Sequence, residues 1–187
     1  DVPGVGSFIV QPEKVVYTFD DDALDLRANA WNTKFKFPSD RIRDDMKHLF
    51  PVFDRIEPNE LWFKKSATEL NLADVISFLG SLPPKHVAWV MSRLYNLACY
   101  LSISNMAHVD ISLQNLYVDT AKHSVHLYGG WWFGRSFDTK ALGAPKWVTG
   151  LSKEFASTGI PTRRLVSQQI KEVGKLLLGA TSPGSLM

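Results

Sequence analysis

One short stretch of the chain, residues 108–115, carries side chains whose types and spacing suit acid–base and metal chemistry. It reads HVDISLQN, so an imidazole (His108), a carboxylate (Asp110) and an amide (Asn115) follow one another closely. A carboxylate can take a proton from an attacking hydroxyl, and an amide oxygen is a suitable ligand for a hard cation. The same side chains also suit structural roles, His108 as a hydrogen-bonded core residue and the other two as turn residues.

The elements on either side of this loop are predicted to hold it in place. Residues 85–104 carry a broad apolar stripe with a helical period, which predicts a core helix after Pro83-Pro84. Residues 115–119 and 124–128 alternate like two short strands around a turn. The sequence therefore predicts a loop fixed between a core helix and a hairpin.

The rest of the chain predicts an α+β fold that is richer in strands near its N-terminus. Further strands are predicted at residues 8–10, 14–19, 52–56 and 60–65. Further helices are predicted at residues 20–35, at residues 38–50 with Ser39 as the cap, at residues 70–80 and at residues 163–179. A seam near residues 64–70 divides the chain into two parts, residues 1–66 and residues 67–187.

The pattern His-x-Asp-x-x-x-x-Asn, in this context, resembles the catalytic loop of the protein kinase-like superfamily. The resemblance implies a reduced, strand-rich N-lobe and a mainly helical C-lobe. It also implies that Asp110 is the catalytic base, that His108 holds the loop, and that Asn115 binds magnesium. ATP and Mg²⁺ would then be the cofactors of an active enzyme. Ser112 makes the loop more similar to small-molecule kinases of the aminoglycoside and choline type.

Several departures from the family pattern fall where the triphosphate and its metal would be held. The metal-binding Asp of the family is expected at the end of the hairpin, where residues 128–131 read YGGW. The next acid along the chain is Asp138. Tyr17 or Thr18 stands about where the phosphate-binding Lys is expected. The main magnesium ligand and the main phosphate ligand are therefore both predicted to be missing.

Three lysines are candidates for nucleotide contacts in place of the missing one. Lys14 begins the strand in which the family carries its lysine. Lys64 and Lys65 end the strand that would run into the adenine-binding hinge. The acidic partner of the family lysine is not evident, since Asp25 is the nearest acid in the following helix. In the last helix, Gln169 stands where the family has an Asp.

These losses favour a catalytically impaired kinase-like domain, a pseudokinase that acts as a nucleotide-sensing or protein-interaction module. A bound triphosphate needs several opposing charges, and most of them are absent. An active atypical kinase that phosphorylates a protein or a small molecule stays open as an alternative. The aromatic stretch GGWWFG, residues 129–134, is expected to fill the nucleotide cleft, to form an exposed patch for a partner, or to pack in the core.

A metal-dependent hydrolase is a second alternative from another class. His108, Asp110 and His126, with His123 nearby, offer imidazoles and a carboxylate, the ligand types that zinc or iron prefers. Metal content would separate this hypothesis from the kinase hypothesis.

Composition narrows the classes of partner. The net charge of +2 and the scattered basic residues give no footprint for nucleic acid. No apolar run is long enough to span a membrane, so we expect a cytoplasmic protein. The pseudokinase hypothesis adds the expectation of a protein partner. The single cysteine, Cys99, excludes an internal disulfide and is expected to be buried in its apolar helix.

Overall fold

Two small antiparallel sheets frame the 108–115 loop in the computed structural model, which describes residues 1–54 and 57–180. The first sheet has the order β1 (Gly6–Val10), β2 (Lys14–Phe19) and β3 (Glu60–Lys64). Alternation along β2 and β3 sends one set of side chains into the core and the other outward. The inward set is Val15, Tyr17, Phe19, Leu61 and Phe63.

The second sheet has the order β4 (Glu69–Asn71), β5 (Leu116–Asp119) and β6 (Ser124–Leu127). The β5–β6 hairpin lies where it was predicted, directly after the 108–115 loop. The strand β4 was not predicted, because two of its three residues, Leu70 and Asn71, were assigned to the following helix. They pair with β5 instead, with Glu69 opposite Asp119.

The segment between β2 and β3 holds two short helices, α1 (Leu24–Trp31) and α2 (Asp40–Met46). The predicted Ser39 cap is confirmed, since its hydroxyl accepts a hydrogen bond from the Ile42 amide. Helix α1 ends four residues earlier than predicted. There the Thr33 hydroxyl bonds to the Asn29 carbonyl and competes with a further helical turn.

Of the remaining α-helices in the described residues, two lie between β4 and the 108–115 loop, and three follow the β5–β6 hairpin. They are α3 (Leu72–Leu79), α4 (Pro84–Ile103), α5 (Lys146–Thr149), α6 (Lys153–Thr158) and α7 (Arg163–Leu177). Helices α4 and α7 pack against each other, with their apolar stripes turned toward the common core. The loop at residues 108–115 follows α4 after four intervening residues and is hydrogen-bonded to Gln169 of α7.

Three further predictions are decided by the fold. Cys99 is exposed on α4, so its predicted burial is wrong. The predicted strand at residues 52–56 is reduced to one bridge between Asp54 and Trp62, while Arg55 and Ile56 lie outside the described residues. None of the helices in the described parts of the chain is long and apolar enough to cross a membrane.

Candidate active site

His108 is locked in one tautomer by two hydrogen bonds. The amide N–H of Asp110 donates to His108 Nδ1 at 3.2 Å, so the ring proton must lie on Nε2. Nε2 then donates to the Gly129 carbonyl at 2.9 Å. Burial lowers the pKa of His108 to about 4, which keeps the imidazole neutral. His108 therefore joins the loop to the aromatic stretch that follows the hairpin.

Asp110 is buried, with 1% of its surface exposed. Burial raises the pKa of Asp110 to about 6, and hydrogen bonds to Trp147, Ser112 and Asn115 oppose that rise. The Trp147 indole N–H donates to Asp110 Oδ1 at 3.2 Å. Such a carboxylate is chemically suited to accept a proton near neutral pH, provided that an acceptor hydroxyl reaches it.

Asn115 turns one end of its amide to the loop and leaves the other without a partner. Its Nδ2 donates to the Asp110 carbonyl at 2.8 Å and to Ser112 Oγ at 3.2 Å. Its Oδ1 is buried and accepts no hydrogen bond from any described residue. A buried oxygen of this kind is unusual, and it is the atom that would face a metal ion.

Gln169 fixes the loop to helix α7 with both ends of its side chain. Its Oε1 accepts from the Ile111 amide at 2.8 Å, and its Nε2 donates to the His108 carbonyl at 2.9 Å. The sequence marked this position only as a departure from the family Asp. The amide nevertheless satisfies one donor and one acceptor of the loop backbone.

Aromatic side chains next to the 108–115 loop are packed inward, into the hydrophobic core. Tyr17 packs between Phe8 and Trp132, with ring centroids 5.3 and 5.1 Å away. Tyr17 is 1% exposed and Trp132 is fully buried. The exposed-patch hypothesis for residues 129–134 is therefore wrong, since these aromatic rings point inward.

Contacts of Trp131 and hydrogen bonds from Asn29 fix the position of residues 129–134. The Trp131 ring lies edge-on to the His108 ring, with the two centroids 4.7 Å apart, and the Trp131 indole N–H donates to the Leu127 carbonyl. From helix α1, Asn29 Nδ2 donates to the carbonyls of Trp132 and Gly134. Three elements thus fix residues 129–134 against the loop.

Gly129 occupies a position without room for a side chain. A Cβ atom built there would lie 2.3 Å from Asn115 Oδ1 and 2.6 Å from the Tyr17 hydroxyl. Both distances are far below any real contact, so the absence of a carboxylate here goes with the inward position of Tyr17. Burial raises the pKa of Tyr17 well above its usual value, so the phenol stays neutral.

The three predicted nucleotide-binding lysines lie apart from this centre. Lys14 and Lys64 are exposed and pair across β2 and β3 on the outer face of the sheet. Tyr17 points from the opposite face. Lys65 Nζ donates to the carbonyls of Pro12, Ser66 and Glu69, which ties the β1–β2 turn to the segment after β3.

The residues present do not fit a magnesium–triphosphate complex in this arrangement. Asn115 Oδ1 offers one free ligand atom and Asp110 one carboxylate, but Gly129 adds none. The next acid, Asp138, is exposed, and its Oδ1 accepts from the Ser136 hydroxyl. The Tyr17 phenol lies beside Gly129, where phosphate oxygens would need space.

The predicted hydrolase centre is not assembled, because His126 lies elsewhere. His126 Nδ1 donates to the His48 carbonyl, and Nε2 accepts from the Ser124 hydroxyl. Within the described residues, the one group of three ligand-type side chains with donor atoms inside 4.8 Å is Glu69, Asp119 and His126. Their carboxylate oxygens already accept hydrogen bonds, among them one from Tyr128 to Glu69 at 2.9 Å.

Comparison with known proteins was made by sequence and by structure. No protein-family model and no curated protein matches the chain. The solved structure of vaccinia related kinase 3 does match, with a TM-score of 0.64 at 14% sequence identity. The match covers 97% of this chain and 67% of that chain. The chain has a protein kinase-like fold. The predicted resemblance is confirmed at the level of the fold, and the hydrolase hypothesis is not supported.

Proposed function

We propose that this kinase-fold domain does not transfer phosphate and acts as a pseudokinase that binds another protein. The observation that carries the proposal is a closed site: Asp110 is buried beside Trp147, the Tyr17 phenol fills the space next to Gly129, and Gly129 offers no carboxylate. A protein partner, and a place in the cytoplasm, stay predictions from the sequence.

The electrostatic argument points the same way. Phosphoryl transfer is catalysed mainly by positioning and by charges arranged around the transferred group. Lys14 and Lys64 face away from the loop, and Lys65 is held by backbone carbonyls. With the metal carboxylate absent too, the site supplies little that would stabilise a transferred phosphoryl group.

The loop itself is nevertheless well ordered by its hydrogen bonds. His108, Asn115 and Gln169 each bond to backbone groups of the loop or of its neighbours. A rigid loop without a phosphate site suits a domain whose surface, and not its cleft, performs the function.

One observation favours the alternative of an active atypical kinase. Asn115 Oδ1 is buried and unpartnered within the described residues, and it lies beside Tyr17. Movement of Tyr17 would open space beside that oxygen. In this alternative, ATP and Mg²⁺ would bind only to an opened form.

A thermal-shift experiment separates the two candidates. We expect no rise in melting temperature with ATP plus Mg²⁺, ATP plus Mn²⁺ or ATP plus chelator, and no transfer of labelled γ-phosphate. A ligand at a hundred times its Kd would stabilise a binding-competent protein by about 2.7 kcal/mol, a shift of several degrees. An active kinase measured in parallel shows that the conditions are adequate.

Two variants make the result specific to the closed site. Tyr17→Ala opens space beside Asn115, and Asp110→Asn removes the candidate base. A metal-dependent shift in the unmodified protein, with phosphate transfer that Asp110→Asn abolishes, would replace the pseudokinase proposal by the atypical kinase. A shift that appears only in Tyr17→Ala would support the closed-site explanation.

A further inference from the structure

A groove of about 520 Å³ lies on the face of the molecule formed by α2, α4 and the β5–β6 turn. None of residues 108–115 or 129–134 lines it. Its volume is in the range of sites that accept small ligands or a few side chains of a partner. It is therefore a second candidate site, separate from the closed centre.

The segment that carries α2 is anchored by hydrogen bonds at both of its ends. At one end, the Lys36 carbonyl accepts hydrogen bonds from Tyr100 Oη at 2.8 Å and Ser104 Oγ at 3.0 Å. At the other end, the His48 carbonyl accepts from His126 Nδ1 and Tyr128 Oη. Between these anchors no residue of α2 is buried.

Apolar side chains from α2 and α4 form part of the groove lining and are open to solvent. Ile42 and Met46 turn the apolar side of α2 toward it and are half-buried. From α4, Cys99 is exposed and Ile103 is 66% exposed. Apolar groups gathered in this way on an otherwise charged surface are typical of a docking site.

The rim of the groove adds a specific charge. Arg93 on α4 and Lys122 in the β5–β6 turn both line it, and neither forms an ion pair with any described carboxylate. Asp45 is the one acid among the described lining residues. Two unpaired cations beside an apolar floor are complementary to a segment that carries both apolar and acidic side chains.

We propose that this groove docks an acidic amphipathic segment of a partner protein. The segment places apolar anchors against Ile42, Met46 and Ile103, and its carboxylates face Arg93 and Lys122. This mode resembles the recognition of short amphipathic helices in grooves. The inference rests on the proposed function, because it names the class of partner through which the domain acts.

The single cysteine of the chain supplies a direct probe of the groove. Peptides would be selected from a random display library on the intact protein and then measured by fluorescence anisotropy. We expect selected sequences that combine Leu, Ile or Phe with Asp or Glu. Their binding should protect Cys99 from alkylation by iodoacetamide and should weaken as salt is added.

Matched variants then test the two parts of the argument. Ile103→Asp removes the apolar contact, and Arg93→Glu with Lys122→Glu reverses the rim charge. Ile103→Asp should weaken binding at least about tenfold, the size expected for a central contact, and the double charge reversal should weaken binding and remove its salt dependence. The control, Arg164→Glu with Lys171→Glu on α7, makes the same charge change elsewhere and should leave affinity unchanged.

Several results would overturn the docking proposal. They are the absence of enriched peptides, selected peptides that lack acidic residues, affinity that survives both groove variants, and unprotected Cys99. An ATP-dependent shift in melting temperature would overturn the proposed pseudokinase function and leave the peptide result standing, so the two failures are distinguishable.

Discussion

At the scale of single residues, the inward position of Tyr17 depends on the absence of a side chain at Gly129. The space that a side chain at position 129 would need is taken by Asn115 Oδ1 and the Tyr17 hydroxyl. The Tyr17 hydroxyl is itself buried without an aligned hydrogen bond to any described residue. The packing here therefore requires a residue without a Cβ atom at position 129.

Gly129→Ala should therefore destabilise the protein by about 1 to 3 kcal/mol, the usual cost of overpacking. Urea denaturation measures the change in the free energy of unfolding. Gly150→Ala is the matched control, because a Cβ there would meet its neighbours at an ordinary 3.5 Å. Equal effects at the two positions would contradict the crowded geometry at Gly129.

Tyr17→Phe should change stability by less than about 1 kcal/mol, since the hydroxyl lies near the Tyr117 hydroxyl without a well-aligned hydrogen bond. Combined with Gly129→Ala, it should recover part of the lost stability. A double-mutant cycle measures that coupling. Strictly additive effects would show that the hydroxyl and the added methyl group do not meet.

Asp110 and His108 oppose each other in the pH dependence of stability. The pKa of Asp110 is raised to about 6 in the folded protein. Its contribution to the free energy of unfolding is therefore full below the pKa of the unfolded chain, about 3.9, and is lost as pH rises through about 6. The pKa of His108 is lowered to about 4. Its contribution is full above the unfolded value of about 6.5 and is lost as pH falls toward about 4. The two slopes compensate between about pH 4 and pH 6.

In Asp110→Asn, the pH dependence of stability should be that of His108 alone, without the opposing contribution of Asp110. We expect this variant to gain up to about 3 kcal/mol at neutral pH, and to lose stability with acid more steeply than the unmodified protein. His108→Gln should show the opposite slope. Urea denaturation across this pH range provides the measurement, with the exposed Asp22→Asn as the control for charge. If stability changed with pH in the same way in the unmodified protein and in all three variants, Asp110 and His108 would not have opposite effects.

At the scale of elements, Gln169 joins helix α7 to the loop. Gln169→Met keeps the size of the side chain but leaves the Ile111 amide and the His108 carbonyl without partners. We expect a loss of about 2 to 5 kcal/mol and faster hydrogen exchange at the Ile111 amide. Gln168→Met is the control, because Gln168 makes one bond, to the Leu151 carbonyl, at a half-buried position. A similar loss of stability in both variants would argue against a specific role of Gln169 in joining α7 to the loop.

The sequence predicted those elements whose signals are local. The apolar stripe of α4, the β5–β6 alternation and the Ser39 cap are properties of neighbouring residues, and they were placed to within a few residues. Strand β4 was missed because its pairing with β5 is a long-range contact. The burial of Cys99 was wrong because an apolar helix can still leave one edge uncovered, as α4 does at the groove.

The closed site could be predicted only in part, for the same physical reason. The missing carboxylate and lysine are visible as residue types at expected positions. The bond from Trp147 to Asp110 and the stack of Tyr17 on Trp132 join residues that are far apart in sequence. No local pattern indicates such contacts, so the sequence could not decide between a buried and an exposed position for residues 129–134.

At the scale of the whole molecule, aromatic rings join the two sheets into one core. Phe63 of β3 contacts Tyr117 of β5 at 6.0 Å and Tyr128 at 4.8 Å, measured between ring centroids. Tyr17 of β2 reaches Trp132 in the segment after β6. The predicted boundary between residues 66 and 67 thus falls between parts of the chain that share a continuous packing.

The shared core makes a further prediction about cooperativity. The whole domain should unfold in one transition, with tryptophan fluorescence and far-ultraviolet circular dichroism changing at the same denaturant concentration. Phe63→Ala should lower the stability by about 3 to 5 kcal/mol and keep the transitions coincident. Two separate transitions in the unmodified protein would instead support independent units at residues 1–66 and 67–187.

The crowding at Gly129 also bears on descent. If the ancestor carried a side chain at position 129, that side chain and an inward Tyr17 would have crowded each other, because a Cβ there would lie 2.6 Å from the Tyr17 hydroxyl. A later return of the carboxylate by a single substitution would meet the phenol and cost stability. A compensating change at Tyr17 would ease that return, so the loss of catalysis that we propose would be slow to reverse.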